Sequence, residues 1–320
     1  MTGIEVPTDV ADNVIDLFGD RGDAWLENLP TVVSKLCRSW KLRVESAAMT
    51  GGTHSFVVEV KRADESAAVL KVPVVDDENA AEATALFHYG GDGAARLYEF
   101  DPSTGAMLIE LAEPGQPLVR QDVDGPHLEG LPENEDRLRF ACARFRRLWR
   151  VPSAAPSQLP SLPLVTQMLR NWAASFPGGR AGRLGGRVPA GLTERFAELC
   201  RAYARPTGPQ GIANRDTHLG NIVSAQRMPW LLIDPKPFYG ERAFDAGFLT
   251  AIVAESLPEP AALRVTTDRI AVDLGVAPFK VRGWGFLRLM ENAVVAVESD
   301  DPIAERLIEA SQLLSKLGNT

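Results

Sequence analysis

The chain has 320 residues, is 45% hydrophobic, and carries 42 acidic and 34 basic side chains, for a formal net charge of −8. This length and apolar content suffice for one large domain or two small ones with buried cores. The acidic balance argues against a general nucleic-acid binder, which would carry a basic face. It suits a cationic substrate, although simple solubility is the favoured explanation.

The targeting and redox signals are those of a cytoplasmic protein. The N-terminus lacks a basic segment followed by an apolar one, and no apolar run approaches the roughly 20 residues of a membrane span. Cys37, Cys142 and Cys200 are far apart and form no Cys-x-x-Cys pair, which indicates buried thiols in a reducing compartment. The four histidines lack metal-ligand spacing. We therefore expect a monomer or weak dimer without nucleic-acid or membrane partners.

The first part of the chain predicts helices and then strands. Apolar residues at helical spacing come after Thr8 and stop at Gly19, and we expect this helical extension, residues 1–41, to pack on the outside of the strands. Three valine-rich segments have an alternating pattern, which predicts three of these strands in antiparallel pairing. They cover Leu42–Met49, His54–Arg62 and Ala67–Val74.

A glycine turn and a lysine stand out among these strands. The turn includes Gly51, Gly52 and Thr53. It is either an ordinary hairpin or a cover for nucleotide phosphates, because glycine permits close backbone approach to an anion. Lys71 lies within an apolar strand and on its own would be a surface lysine on the polar face. Glu82 lies in the next segment, predicted to be helical over Asp77–Tyr89 and closed by glycine.

A second hairpin, over Ala95–Asp101 and Ala106–Ala112, completes a predicted five-stranded sheet. After it comes a Pro/Gly turn, where we place a hinge between two lobes. We assign residues 1–113 to an N-terminal lobe and 114–320 to a helical C-terminal lobe. The Gly/Arg-rich stretch 177–187 is either a mobile loop over a substrate or, more in keeping with its composition, a solvated insertion.

The segment 211–248 contains the densest functional pattern. Asp216 precedes Asn221 by five residues, a spacing at which a loop carboxylate faces a hydroxyl while the amide oxygen turns toward a metal. A short predicted hairpin then ends on Asp234 and returns it to the level of Asn221. Amide and carboxylate oxygens suit Mg²⁺. His218, inside the loop, is more consistent with bracing than with chemistry, because phosphoryl transfer requires mainly positioning and charge neutralisation.

This segment resembles the aminoglycoside phosphotransferases, which share the protein-kinase-like fold. The run from Leu232 to Asp245, Leu-Ile-Asp-Pro-Lys-Pro-Phe-Tyr-Gly-Glu-Arg-Ala-Phe-Asp, is most similar to the branch of streptomycin 6-phosphotransferases and hydroxyurea-resistance kinases. One departure is that Asn214-Arg215 stands where the family usually has His-Gly. The resemblance implies an α+β, two-lobed fold with a five-stranded antiparallel N-lobe and a mainly helical C-lobe.

The resemblance also implies site residues, cofactors and an activity. It makes Asp216 the catalytic base, Asn221 and Asp234 the Mg²⁺ ligands, and Asp245 a structural support of the loop. It also implies that Lys71 binds the nucleotide phosphates, paired with Glu82 or, failing that, with Glu78. The glycine turn would cover the phosphates, and the main chains of Glu110 and Ala112 would contact the purine. The implied activity is ATP-dependent phosphorylation that inactivates an antibiotic, with a streptomycin-like aminoglycoside as the leading hydroxyl acceptor.

Two alternatives remain open from the sequence. Fold and nucleotide motifs do not specify the second substrate, so another antibiotic or a small metabolite could be the acceptor. The altered Asn214-Arg215 pair is also compatible with a nucleotide-binding regulatory protein of little catalysis, although the base, the metal ligands and the lysine are all present.

Overall fold

The computed structural model describes residues 5–50, 52–118, 131–175, 184 and 186–317. These residues form two compact units. Unit 1 comprises residues 1–116, 153–161 and 223–234, and unit 2 comprises 117–152, 162–222 and 235–320. Unit 1 thus also contains two short later segments of the chain, which the predicted division at 113/114 placed in the second lobe.

Unit 1 begins with two helices, α1 (Thr8–Phe18) and α2 (Asp20–Trp40), separated by Gly19. The apolar side chains of α2 lie in one core with those of the sheet strands. The buried members of this core are Leu29, Val33, Leu36, Phe56, Val58, Val60, Ala68, Leu70, Val72, Ala106 and Leu108. Val10 and Val14 of α1 form a second small core with Val74. The helical extension therefore contributes directly to the core of the sheet unit.

The sheet of unit 1 has five antiparallel strands in the order β1-β2-β3-β5-β4, as the sequence predicted. Its strands are β1 (Arg43–Val44), β2 (Ser55–Lys61), β3 (Ala67–Pro73), β4 (Leu97–Asp101) and β5 (Ala106–Glu110). The first strand is much shorter than predicted. Residues 43–47 are all exposed, so no buried face holds that edge in register.

The helix α3 (Glu82–Tyr89) also begins later than predicted. The Asp76 carboxylate accepts the backbone N–H groups of Glu78 and Asn79, at 2.9 and 3.0 Å. Such a side-chain turn competes with the first turn of a helix. At the other end Gly90, in a left-handed conformation with φ 57°, closes the helix, as the sequence predicted.

Unit 2 is mainly helical. Its helices are α4 (Leu131–Leu148), α5 (Val165–Ser175), α6 (Ala190–Tyr203), α7 (Ala246–Ser256), α8 (Pro260–Leu274), α9 (Pro278–Glu298) and α10 (Ala304–Leu317). The α9 helix lies at the centre, packed against α7 and α10, and is buried over most of its length. Its proline at the first helical position fits there without loss of a hydrogen bond.

Two small sheets complete the fold. The strands β7 (Gln210–Asn214) and β10 (Pro237–Glu241) pair antiparallel over their full length. The strands β6 (Pro114–Pro117), β8 (Ile222–Ala225) and β9 (Trp230–Leu232) form a three-stranded sheet in the order β6-β8-β9. The predicted hairpin after Asn221 is therefore present, and Asp234 comes after its second strand.

The cysteine thiols are mostly buried, as the sequence predicted. The three cysteines are free, with Cys142 and Cys200 buried and Cys37 half-buried. Burial raises the pKa of both buried thiols to about 12.

Within the described part of the chain, none of the helices combines the length and apolarity of a membrane span. Most of the Gly/Arg-rich stretch, namely residues 177–183 and 185, lies outside the described residues.

Gly285 sets how closely α9 approaches α7. A Cβ at this position would lie 2.3 Å from Thr250 Cγ2. We therefore expect Gly285→Ala to lower the free energy of unfolding by about 1–3 kcal/mol, as overpacking does, measured by chemical denaturation. The matched control is Gly191→Ala in α6, where a Cβ meets no atom within 4 Å. This control should be neutral or stabilise by up to about 1 kcal/mol, and equal effects of the two changes would contradict the packing argument.

Candidate active site

Lys71 is a buried cation on β3, with only 7% of its surface exposed. Its ammonium donates to both carboxylate oxygens of Glu82, at 2.8 and 2.7 Å, and to Oδ1 of Asp234 at 2.7 Å. Burial alone would lower the pKa of Lys71, but the two carboxylates outweigh it and raise that pKa above its ordinary value. Lys71 therefore stays charged. It pairs with Glu82, the partner that the sequence favoured, while Glu78 lies in the turn before α3.

Asp234 has an unusual backbone conformation. Its φ is 49°, in the left-handed region that residues with a side chain seldom adopt. Such conformations cost about 1–3 kcal/mol and tend to occur at functional sites, where the surroundings enforce them. Here the carboxylate is bonded to Lys71 yet 37% exposed. Asp234 is thus positioned by strained backbone while part of its carboxylate remains accessible to solvent.

The glycine turn between β1 and β2 is described from Gly52 onward, and Gly51 lies outside the described residues. A Cβ on Gly52 would lie 2.6 Å from the Ser55 carbonyl oxygen, so the turn requires glycine there. The Gly52 carbonyl accepts a hydrogen bond from the Asn13 side chain at 3.3 Å, and Thr53 Oγ1 lies 2.7 Å from His54 Nδ1. Helix α1 therefore helps to hold this turn.

Glu110, at the end of β5, has both its main chain and its side chain engaged. Its backbone N–H donates to the Arg96 carbonyl at 2.9 Å. Its carboxylate accepts two hydrogen bonds from Arg227, each at 2.7 Å. Because the amide is used within the sheet, a nucleotide could reach only the carbonyl of Glu110. Ala112 lies two residues on, in a segment without regular structure.

The catalytic-loop candidate of unit 2 begins after β7. Asp216 is half-buried and its Oδ1 accepts the His218 backbone N–H at 3.2 Å. The His218 ring accepts the Gly220 N–H on Nδ1, at 2.8 Å, and begins a short 3₁₀ turn that ends at Asn221. Burial lowers the pKa of His218, against the opposing effect of Asp216. These contacts place His218 where it holds the loop in shape.

Asp245 is fully buried, in a 3₁₀ turn just before α7 rather than in the first turn of that helix. Its carboxylate accepts the Asn214 backbone N–H at 2.6 Å and the Trp149 indole N–H at 2.7 Å. Burial raises the pKa of Asp245 to about 7, although both hydrogen bonds lower it. The carbonyl of Asp245 lies 3.3 Å from the Thr217 hydroxyl. Asp245 is therefore tied to the residues on both sides of Arg215-Asp216.

The side chain of Arg215 contacts helix α9. It forms an ion pair with Glu291 Oε1, and Arg288 donates to Glu291 Oε2 at 3.0 Å. The Arg288 guanidinium lies 5.3 Å from the centre of the Phe248 ring, which in turn packs edge-on against His218 at 5.7 Å. The loop thus rests on α7 and α9 through both Arg215 and His218.

The chemistry of these side chains fits a magnesium nucleotide. Asn221 and Asp234 offer amide and carboxylate oxygens, the ligand type that Mg²⁺ prefers. Lys71 offers a fixed charge for phosphate oxygens. The described residues contain no cluster of three or more His, Cys, Asp or Glu side chains that could hold a metal ion.

Comparison with known proteins identifies the family. The model of the aminoglycoside/hydroxyurea antibiotic resistance kinases matches residues 39–300. The chain belongs to this family.

Relatives of the family match almost the whole chain. A hydroxyurea phosphotransferase from Kitasatospora aureofaciens is 31% identical, over 97% of this chain and 86% of its own length. A streptomycin 6-kinase from Streptomyces glaucescens is 28% identical, over 96% of this chain and 97% of its own. The structure of a macrolide 2'-phosphotransferase from Brachybacterium faecium has a TM-score of 0.54 at 16% identity, covering 88% of this chain and 97% of that one. The protein-kinase-like fold is therefore confirmed, and the chain is a phosphotransferase of this resistance-kinase family.

Three contributors to this resistance-kinase site were not predicted: Trp149, Arg288 and Glu291. The sequence held a weak signal for two of them, since Arg288 and Glu291 are three residues apart and so share one face of a mainly apolar helix. Nothing in the sequence pointed to Trp149, whose partner Asp245 is 96 residues away.

The buried carboxyl of Asp245 should make stability depend on pH. The unfolded chain loses this proton near pH 4, whereas the folded protein keeps it to about pH 7. The folded state thus binds more protons, and this contribution to the free energy of unfolding falls as pH rises from about 4 to 7. We expect Asp245→Asn to lack this decline, which is on the order of a few kcal/mol.

Chemical denaturation of wild type and variant between pH 4.5 and 7.5 would measure the effect as a difference in unfolding free energy that changes with pH. The control, Asp12→Asn on the exposed face of α1, should give a difference that is the same at every pH. A constant difference for Asp245→Asn would contradict the raised pKa.

Proposed function

We propose that this resistance-kinase family member is an ATP-dependent phosphotransferase that moves the γ-phosphoryl group to a hydroxyl of a small antibiotic. The observation that carries the proposal is the buried Lys71 ammonium, held by Glu82 and Asp234 at 2.7–2.8 Å. A charge in an apolar strand is costly as a stability device. It is the arrangement by which kinase-like enzymes fix the phosphates of a nucleotide.

The nucleotide would be bound by unit 1. Lys71 would contact the α- and β-phosphates while Glu82 holds its ammonium in place. The turn at Gly51, Gly52 and Thr53 would cover the phosphates, because its backbone permits close approach. The main chains of Glu110 and Ala112 would contact the purine, with Glu110 restricted to its carbonyl. We place the reaction in the cytoplasm, where ATP is available.

Asn221 and Asp234 would hold Mg²⁺. A bound Mg²⁺ supplies charge neutralisation for the phosphate oxygens during transfer. Two features of Asp234 suit it to this role. Its hydrogen bond to Lys71 and its left-handed backbone fix the carboxylate, so little freedom is lost when an ion binds.

Asp216 would act on the acceptor. Its carboxylate would orient the hydroxyl and take its proton as the acceptor oxygen bonds to the γ-phosphorus and the bond to the β–γ bridging oxygen breaks, releasing ADP. His218 and Asp245 would keep the loop in the required shape. The hydrogen bond from His218 N–H to Asp216 Oδ1 supports this division of roles.

The first acceptor to test is a streptomycin-like aminoglycoside. The relative that covers 96% of this chain is a streptomycin 6-kinase, and a chain with a net charge of −8 suits a cationic substrate. Hydroxyurea is a second candidate, favoured by the 31% identical relative. Another antibiotic or a metabolite would share the same chemistry on the nucleotide side.

Transfer from Mg-ATP to an acceptor should require the Asp216 carboxylate. We expect wild type to add one phosphoryl group to streptomycin or to hydroxyurea, detected by mass spectrometry. Asp216→Asn should lower kcat by about 10²–10⁴-fold, the usual effect of losing a general base, while nucleotide binding persists. Near-normal turnover in Asp216→Asn would remove the catalytic assignment. Tight Mg-ATP binding without transfer to any of a broad acceptor panel would instead favour the regulatory alternative.

Lys71→Met should weaken productive nucleotide binding. Removing one fixed donor to a transferring group lowers kcat by about 10²–10³-fold, and we expect kcat/KM for ATP to fall by at least this factor. The loss also leaves Glu82 and Asp234 without their cation, so folding must be checked by circular dichroism. Lys61→Met, on the exposed side of β2 with 36% of its side chain accessible, is the matched control. Unchanged ATP kinetics in a folded Lys71→Met protein would refute the phosphate role.

A further inference from the structure

A pocket in unit 2 lies at the end of β7 that is opposite to Asp216. Its wall includes Pro209, directly before β7, and Glu241 of β10, which pairs with Gln210 at the start of β7. Asp216 follows the other end of this five-residue strand, roughly 15 Å away along the strand at about 3.3 Å per residue. The pocket is therefore separate from the position that we assign to the reacting hydroxyl.

The pocket has room for a small organic molecule. Its volume is about 570 Å³, within the usual range of ligand sites, roughly 300–1,000 Å³. Thr207, Pro209 and Gly275 on its wall are exposed, so the pocket opens to solvent. The wall also contains Trp149 and Phe279, and Phe279 is 55% exposed. Aromatic side chains on a pocket wall suit the apolar body of a ligand.

The pocket wall is positively charged, although the whole chain carries −8. Its charged side chains are Arg146, Arg242, Lys280 and Glu241, which give a formal net charge of +2. Glu241 is the one carboxylate among the described lining residues, and it accepts a hydrogen bond from Lys280 at 3.0 Å inside a buried pair. A cationic group in the pocket would therefore find no uncommitted carboxylate.

The two arginines of the wall have unused donors. Arg242 has no side-chain hydrogen bond or ion pair with any described residue; its Nε is buried, but its two terminal nitrogens are not among the buried atoms. Its guanidinium carbon lies 5.8 Å from the centre of the Trp149 ring. Arg146 is exposed and donates only to the Asp273 carbonyl, at 3.1 Å, within the described part of the chain. A guanidinium with free N–H groups matches the paired oxygens of a carboxylate or phosphate.

The start of α9 adds to the preference for an anion. Ala277 precedes this helix and has no side-chain oxygen to cap it, and both Ala277 and Phe279 line the pocket. The unpaired N–H groups of a helix N-terminus carry partial positive charge. The helix end therefore acts in the same direction as the two arginines.

An occupant of this pocket would contact residues tied to the loop that carries Asp216. The Trp149 indole N–H donates to Asp245 Oδ2 at 2.7 Å, and the Asn214 N–H donates to Asp245 Oδ1 at 2.6 Å. Arg242 begins the 3₁₀ turn that ends at Asp245. A ligand held by Arg242 and Trp149 would thus lie next to the contacts that fix the start of the loop.

We propose that this pocket is a second ligand site, which binds a small organic oxyanion. The carboxylate or phosphate group of the ligand accepts hydrogen bonds from Arg242 and Arg146, and its apolar body lies against Trp149 and Phe279. A cation of the same shape is disfavoured, because the one carboxylate on the described wall is already paired. This ligand is neither the nucleotide nor the hydroxyl acceptor, so the inference goes beyond the proposed function and does not rest on it.

Three ring compounds that differ in one group test the class of ligand. Phenyl phosphate and benzoate are anions, and benzylamine is a cation. Each would be titrated into the full-length protein, with and without Mg-ATP, while the indole signals are followed by ¹⁵N NMR. The chain has six tryptophans, and Trp149→Phe identifies the signal of Trp149 by its loss.

We expect phenyl phosphate or benzoate to shift the Trp149 signal and to bind at least about tenfold more tightly than benzylamine, because a charged donor contributes about this much. The order of the two anions decides between phosphate and carboxylate. Equal or tighter binding of benzylamine, or titrations in which neither anion moves the Trp149 signal, would overturn the proposal.

Variants locate the binding. Arg242→Met should weaken binding of the preferred anion at least about tenfold, and Arg146→Met several-fold. Arg139→Met is the matched control, since Arg139 is also exposed on α4 but does not line the pocket; it should bind normally. Because Arg242→Met could fail to fold, Arg146→Met and Arg242→Lys give independent readings, and the lysine should restore only part of the affinity because it lacks the planar fork. Unchanged binding in the folded arginine variants would overturn the proposal.

The second site and the proposed transfer can fail separately. Arg242-dependent binding of an anion that persists with Mg-ATP present would support the second site, whether or not phosphoryl transfer is found. An anion that Mg-ATP displaces and that Arg242→Met does not affect would belong to the nucleotide site. That outcome would overturn the second site and leave the kinase proposal standing.

Discussion

Lys71 places a positive charge inside an apolar strand, and its two balancing carboxylates come from α3 and from a hairpin 163 residues later. Removing one partner of a buried ion pair leaves an uncompensated charge that costs about 3–5 kcal/mol. The later hairpin must therefore stay with the sheet. Backbone hydrogen bonds of Leu232 with Gly93 and Ala95 also hold this hairpin in unit 1. The folding of unit 1 thus depends on the same charge that we assign to nucleotide binding.

Asp245 provides the corresponding constraint in unit 2. A fully buried carboxyl is unfavourable in its charged form, and two N–H donors only partly offset this. The arrangement is retained although an apolar side chain would avoid the cost. The carboxyl supplies a link between Trp149, the residue that directly follows α4, and the start of the loop at Asn214. The position of Asp216 is therefore set by a partner that never touches substrate in the proposed mechanism.

The sequence predicted much of this architecture, for identifiable reasons. Alternating valines and glycine turns are local signals, so the five strands and the hairpin before Asp234 could be located. The pairing of Lys71 with Glu82 was implied by the family resemblance, because the order and spacing of these two residues match those of the family. The bounds of β1 and α3 could not be predicted, because they depend on exposure and on the Asp76 side-chain turn. Pairs such as Trp149 with Asp245, or Arg215 with Glu291, join distant segments, and no periodicity records them.

The Asn214-Arg215 pair illustrates how a local departure can be absorbed by tertiary contacts. An arginine beside Asp216 could form an ion pair with that carboxylate and compete with an acceptor hydroxyl for it. The structure instead directs the Arg215 guanidinium to Glu291. Glu291 is shared with Arg288, so one carboxylate contacts two cations. The residue that departs from the usual His-Gly is thus anchored on α9, and the loop that carries Asp216 gains a contact with the helical core of unit 2.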